Sequence, residues 1–172
     1  AFAKVLSKHP NVRLVQIGDG VLTDSHKKLA RELGVDDKVS FLGPLTTENI
    51  LPYLQSCTAL ILTSRKSNTG AEEAFGLVLL EAAACGVPSI GTRVGGITEA
   101  VVDGETGFLV DSENDSDIAE KMDLFLRNPQ LVKSMGQSGR EMVCDKFDIN
   151  KQTEELEKLY ADISKSWNAK SR

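Results

Sequence analysis

The chain has 172 residues, 41% of them hydrophobic, and a formal net charge of −5. That length and apolar content suit one globular domain with a sizeable core, and the acidic balance excludes a general nucleic-acid binder, which presents a basic face to phosphate. Small molecules or proteins are therefore the expected partners, with no nucleic acid among them.

Residues 1–8 read as the end of a helix, with Phe2, Val5 and Leu6 on one face, broken at His9-Pro10. Residues 11–17 read as a buried strand running into Gly18-Asp19-Gly20, and a strand that ends in Gly-x-Gly before a helix is where open α/β sheets hold ligands. A helix over about 25–33 stops at Gly34, and a short strand over 39–42 closes at Gly43-Pro44. Thr46 or Thr47 is expected to cap the next helix, where Pro52 predicts an irregular first turn or a later start. Residues 58–63, TALILT, form a continuous apolar strand of the kind buried on both faces of a parallel sheet. A polar loop over 64–70 follows, without an apolar anchor and expected to be mobile. After it come a helix to about Cys85 with Gly86 as its stop, a strand over 88–91, a brief helix over 97–102 and a strand over 107–110. Helices are expected over about 117–126, 129–135, 137–147 and 150–166. Strands alternating with helices predict an α/β fold.

The cysteines at 57, 85 and 144 make no metal-ligand spacing and leave at least one unpaired, which fits a reducing cytoplasm; each is expected as a small buried hydrophobe. No apolar run approaches the roughly 20 residues of a membrane span. Asn114-Asp115-Ser116 matches a glycosylation sequon, read as chance in a cytoplasmic-looking chain. His9 and His26 lie outside every motif.

The most informative stretch is EEAFGLVLLEAAACGVPSIGTRVGG, residues 72–96. Glu73 and Glu81 bracket an apolar segment whose opening residues, Ala74-Phe75-Gly76-Leu77, are expected to start a helix. A helix start presents unpaired N–H groups that favour an anion such as phosphate, and Gly76 lets a ligand approach the backbone closely. Eight positions along a helix axis are roughly 12 Å. A glycosidase needs its two carboxyl groups only about 5 to 9.5 Å apart. The spacing therefore suits a long ligand with a hydroxylated ring near each acid and an anionic middle over the helix start.

Glu-x7-Glu followed by EAAACGVPSIGTRVGGITEAVVDGETGFLV resembles the C-terminal, donor-binding domain of retaining glycosyltransferases built from two Rossmann domains, the glycosyltransferase group 1 or family 4 type. The resemblance covers about residues 11–146. It implies a Rossmann-like three-layer sandwich with a parallel sheet over residues 1–149, and a helical tail over 150–172 whose apolar stripe includes Leu156, Leu159, Tyr160 and Ile163. Domains of this family begin with a strand at the centre of the sheet, followed by a basic loop. This sequence starts after both, so the sheet is expected to lack its central first strand. The strands near 12–17 and 58–63 are then expected to gap, to pair directly or to accept an edge from another molecule.

The resemblance also implies roles. Glu73 would contact the transferred sugar as the catalytic group. Glu81 would hold the ribose of the donor; on a helix otherwise lined with Val78, Leu79, Leu80, Ala82 and Ala83, a carboxylate needs either that partner or a buried ion pair. The backbone of Phe75, Gly76, Leu77 and Val78 would hold phosphate or sugar oxygens, with Phe75 itself also readable as core. Gly18, Asp19 and Gly20 would line the diphosphate, and Leu45 would lie near the base. Arg65 and Lys66 would add positive charge, and Gly95, Gly96 and Glu99 would shape the acceptor side. The donor would be a UDP-, GDP- or ADP-linked sugar used without a metal cofactor. The implied partners are a missing N-terminal Rossmann domain and, for the full-length enzyme in polysaccharide or glycoconjugate synthesis, a peripheral membrane surface. A non-catalytic nucleotide-sugar-binding module is the competing reading. A nicotinamide dehydrogenase is disfavoured because Gly18-Asp19-Gly20 lacks the Gly-x-x-Gly continuation.

Overall fold

A computed structural model describes residues 1–66 and 74–170. The elements in chain order are α1 (Phe2–Leu6), β1 (Leu14–Ile17), α2 (Thr23–Glu32), β2 (Val39–Gly43), α3 (Thr47–Ser56), β3 (Leu60–Leu62), α4 (Leu77–Ala84), β4 (Ser89–Thr92), α5 (Ile97–Ala100), β5 (Gly107–Val110), α6 (Asp115–Arg127), α7 (Pro129–Lys146) and α8 (Ile149–Lys170). The strands form two parallel sheets, β1-β2 and β3-β4-β5. The larger one is covered on both faces, because side chains alternate along a strand. In β5, Phe108 and Val110 pack with Val5, Ile118 and Phe125 of α1 and α6, whereas Leu109 packs with Leu79, Ile97 and Ala100 of α4 and α5. This is a Rossmann-like α/β arrangement.

β1 and β3 do not pair, so of the three expected arrangements a gap is the one present. It explains a misreading of burial. Both strands were expected to be covered, yet Val15 is 40% exposed and every residue of β3 is only half-buried. Each strand is an edge, and the regular pairing of the TALILT run shrinks to Leu60–Leu62.

The glycines act as expected at two helix ends. Val35 N–H donates to the Ala30 carbonyl and Gly34 N–H to Arg31, while Val87 N–H donates to Ala82 and Gly86 N–H to Ala83. These are paired 6→1 and 5→2 bonds that close a helix through a left-handed residue. Gly136 behaves differently. It was expected to separate two helices, but α7 runs unbroken through it. A Cβ there would collide with the Gly86 carbonyl oxygen and stand 3.5 Å from Pro88 Cδ, and one at Gly139 would stand 3.4 Å from Ala83 Cβ. Both glycines let α7 lie against α4, and that packing offsets their low helix propensity.

Two smaller expectations also change. α3 runs through Pro52 as one helix starting at Thr47, held by the buried Leu54 against Ala82 and Val87, and Thr46 caps it without a side-chain bond. The cysteines are not buried: Cys57 and Cys144 are exposed and Cys85 is intermediate. Asn114 caps α6, its Oδ1 accepting from Asp117 N–H at 3.1 Å. α8 leaves Leu156, Leu159, Tyr160 and Ile163 about half exposed, so its apolar stripe lies open. Among the described residues no helix is long and apolar enough to cross a membrane.

Candidate functional site

Parallel strands deliver their following loops to one edge of the sheet, which is where this fold class binds ligands. The loop after β1 is tied to the end of β2, since Gly18 N–H donates to the Gly43 carbonyl at 2.8 Å. Gly18 sits at φ 103°, a conformation that suits glycine. The Gly20 amide lies 2.8 Å from Asp19 Oδ1 and 3.1 Å from Thr23 Oγ1. Asp19 is exposed, and the Thr23 hydroxyl and then the Gly20 amide hold its carboxyl below the usual carboxylate range. The Gly20 amide is thus engaged within the turn and the Gly18 amide by β2. A small cavity of about 200 Å³ opens here, lined by Gly18, Asp19, Gly20, Gln16, Thr23 and His26. His26 was assigned no chemistry from the sequence; only the turn of α2 brings it to this cavity. Leu45 is half-buried just beyond Gly43-Pro44.

The second part of the site is the start of α4. The helix begins at Leu77, later than expected, with Gly76 as a left-handed N-cap at φ 75°. A Cβ at Gly76 would stand 3.0 Å from both Leu62 Cδ2 and Leu79 Cδ1. The entry to α4 is therefore wedged into the core; Gly76 has no side chain with which to cap it, and the first amides of Leu77 and Val78 have no acceptor within the helix. Leu77 is 66% exposed, Val78 is half-buried, and the half-buried Phe75 meets Phe147 edge-on with ring centroids 5.7 Å apart. Phe75 is thus a packing side chain whose backbone faces the turn.

Glu81 is exposed, and among the described residues its carboxylate has no ion pair or hydrogen bond. The sequence reading had set it on an apolar helix in need of a partner. Instead α4 buries Leu79, Ala82 and Ala83 on one face and leaves Glu81 on the other. Glu73 and its neighbour Glu72 lie outside the described residues, as does the 67–70 part of the polar loop.

Cross-links tie the remaining loops together. Thr92 Oγ1 donates to the Ser64 carbonyl at 2.5 Å, Arg65 pairs with Glu113 at 3.3 Å, and Arg93 pairs with Asp103 at 2.6 Å. Burial raises the Asp103 carboxyl, but the Leu109 amide and Arg93 outweigh it and leave it below its ordinary value. The turn at Gly95-Gly96 presses on the approach to α4. A Cβ at Gly96 would stand 2.7 Å from Phe75 Cα and nearer still to the Ala74 carbonyl oxygen. Glu99 is exposed on α5. Among the described residues no group of three or more His, Cys, Asp or Glu side chains is placed to hold a metal ion.

A family model described as "Glycosyl transferases group 1" matches residues 1–142. The chain belongs to this family. A group 1 relative, the N-acetyl-alpha-D-glucosaminyl L-malate synthase of Bacillus anthracis, is 37% identical over 163 residues, covering 95% of this chain and 40% of the relative. The C-terminal domain of a glycosyl transferase group 1 family protein (LpcC) from Francisella tularensis shares 29% identity at a TM-score of 0.73, covering 86% of this chain and 75% of that one. Anabaena Alr3699/HepE, solved in complex with UDP, shares the fold at a TM-score of 0.79 with 23% identity, covering 93% of this chain and 44% of that one. This group 1 chain spans about two fifths or less of the length of the curated relatives it matches. It corresponds to their C-terminal domain.

Proposed function

We propose that this chain is the donor-binding half of a retaining glycosyltransferase. In this reading it holds a nucleoside-diphosphate sugar, whose sugar passes to an acceptor hydroxyl in polysaccharide or glycoconjugate synthesis in the cytoplasm. The observation that carries the reading is the start of α4: the amides of Leu77 and Val78, which have no acceptor within the helix, behind a left-handed Gly76, with the carboxylate of Glu81, unpaired among the described residues, one turn further on. Family membership supports it, as does the UDP that Alr3699/HepE holds in its own structure.

In the reaction the anomeric carbon exchanges its bond to the diphosphate oxygen for a bond to the acceptor oxygen on the same face. The acceptor proton leaves with the diphosphate. The chemistry is assisted where charge grows, on the departing diphosphate, and fixed amide dipoles are effective there because they need no reorganisation. Glu81 accepts from ribose hydroxyls. Glu73 is proposed to orient the transferred sugar through its hydroxyls, and Leu45 to lie beside the base. The amide of Gly18 is engaged by the Gly43 carbonyl and that of Gly20 within its own turn, so contacts there fall to the Asp19 side chain and the adjoining cavity. No metal cofactor is required in this reading. The acceptor enters from a second Rossmann domain of the longer protein, so the 172-residue chain binds nucleotide weakly and does not turn over by itself.

The test is thermal shift of the chain with UDP, GDP and ADP, since a ligand that binds only the folded state raises its apparent stability. One nucleotide is expected to raise Tm, and Glu81→Ala to reduce the rise. No shift with any of the three at millimolar concentration defeats the reading. In the full-length protein, Glu73→Ala is expected to abolish product while nucleotide affinity stays within about threefold. An equal loss of both would favour the non-catalytic binding module.

A further inference from the structure

The loops after β3 and β4 each bring a guanidinium to the carboxyl edge of the larger sheet, and nearby acids hold both. Arg93 is gripped from two sides, by Asp103 at 2.6 Å and by Asp111 at 3.9 Å. Arg65 is held more loosely, its Nη1 3.3 Å from Glu113 Oε1 and its side chain 66% exposed. The backbone beneath it is nevertheless fixed, because Thr92, buried in β4, donates to the carbonyl of the preceding Ser64. The end of β3 also touches the start of α4, since a Cβ at Gly76 would stand 3.0 Å from Leu62 Cδ2. Arg65 follows that contact by three residues, and a guanidinium has donors to spare after one bond to a carboxylate.

Glu113 is the unusual partner. It lies in the turn Asp111–Asn114, closed by the Asn114 amide on the Asp111 carbonyl at 3.3 Å, and has φ 67°. At the third position of such a turn a positive φ suits Gly or Asn, so a glutamate there carries backbone strain. Among the described residues it is the one non-glycine with positive φ. The turn does not need this side chain, because Asn114 makes the cap of α6. Stability does not need it either, since an ion pair between side chains 66% and 72% exposed contributes little. What the glutamate adds is a carboxylate on Arg65.

We propose that Glu113 is a positioning residue for donor binding: from its left-handed turn it holds the Arg65 guanidinium ready at the carboxyl edge for the diphosphate of the donor. On the reading of this edge as a nucleoside-diphosphate-sugar site, on which this assignment rests, Arg65 adds a cation to the amides of α4. Its planar fork meets phosphate oxygens through parallel N–H bonds. A side chain already held in place loses less freedom on binding, so the tether acts on affinity rather than on stability. Arg93, enclosed by two acids, remains a link between loops.

The test is calorimetric titration of the 172-residue chain with UDP, GDP, ADP and inorganic pyrophosphate, beside thermal melts, for wild type, Glu113→Gln, Glu113→Gly, Arg65→Gln and the Arg65→Gln/Glu113→Gln double variant. Glu113→Gln and Glu113→Gly are each expected to weaken the nucleotide that binds by about threefold or more. Glu113→Gly is expected to do so without a fall in Tm, because glycine relieves the turn. Arg65→Gln is expected to weaken binding at least as much, and Glu113→Gln to change nothing further once Arg65 is gone. A smaller loss in the Glu113 variants, a gain in affinity, or a full further loss in the double variant overturns the proposal. So do losses that come with a fall in Tm in both Glu113 variants, which mark a structural role. If pyrophosphate binds with this dependence on Glu113 and no nucleotide binds, the donor-binding reading falls and the positioning role stands. Binding of neither defeats both.

Discussion

Gly96 and Phe75 approach so closely that a Cβ added to Gly96 would stand 2.7 Å from the Phe75 Cα. The turn after β4 is in this way a stop against which the entry to α4 rests. A position three residues before Glu99, expected like it on the acceptor side, therefore fixes the backbone proposed to hold the diphosphate.

Gly96→Ala is accordingly predicted to displace the Ala74–Phe75 backbone. Overpacking of this kind costs about 1–3 kcal/mol of stability. Nucleotide affinity is expected to fall by about tenfold or more, read by calorimetric titration beside a thermal melt. An affinity that holds while Tm falls would show that the contact is structural only.

Gly136→Ala provides the contrast. Its Cβ would meet the Gly86 carbonyl, at the far end of α4 from the proposed phosphate contacts. Tm is expected to fall by roughly 3–10 °C. Nucleotide affinity, measured below the transition, is expected to stay within about twofold.

Glu81→Ala is predicted to act the other way. The side chain is exposed and unpaired among the described residues, so removing it should change stability by no more than about 0.5 kcal/mol. Affinity for the cognate nucleoside diphosphate is expected to fall by about tenfold. The corresponding nucleobase without ribose should bind wild type and variant equally.

Asp123 gives a pH prediction. It is 6% exposed, sits on α6, accepts from His9 at 2.8 Å and pairs with Arg127 at 2.9 Å and Lys8 at 3.6 Å. The His9 hydrogen bond, with Arg127 and Lys8 beside it, holds the carboxyl below its ordinary value. That ordinary value is about 3.9. A depressed carboxyl contributes fully above its unfolded value and loses that contribution as pH falls below about 4. Asp123→Asn should lower Tm at pH 7 and flatten the decline below pH 4, measured by melts from pH 7 to pH 3.

Chelation supplies the last prediction. Nucleotide affinity is expected to be unchanged by millimolar EDTA, and titration with and without the chelator reads it directly. A loss restored by Mg²⁺ would transfer the stabilisation of the diphosphate from the α4 amides to a cation.

The sequence by itself determined the order of strands and helices, the stops at Gly34 and Gly86 and the family. Those features depend on local periodicity, on single residues with restricted backbones, and on a motif contiguous in the chain. Only the tertiary structure decided that Gly136 is a contact rather than a helix break, that Glu81 faces outward, that the amide of Gly18 is taken by Gly43 and that of Gly20 by its own turn, and that His26 joins their cavity. The reason is physical. A glycine's role depends on what its missing side chain would meet, and a carboxylate's on which face of its helix another element covers, and neither neighbour is near in the chain. The same holds for Val15, apolar in a strand-forming run and yet 40% exposed, because β1 pairs only with β2 and is an edge strand.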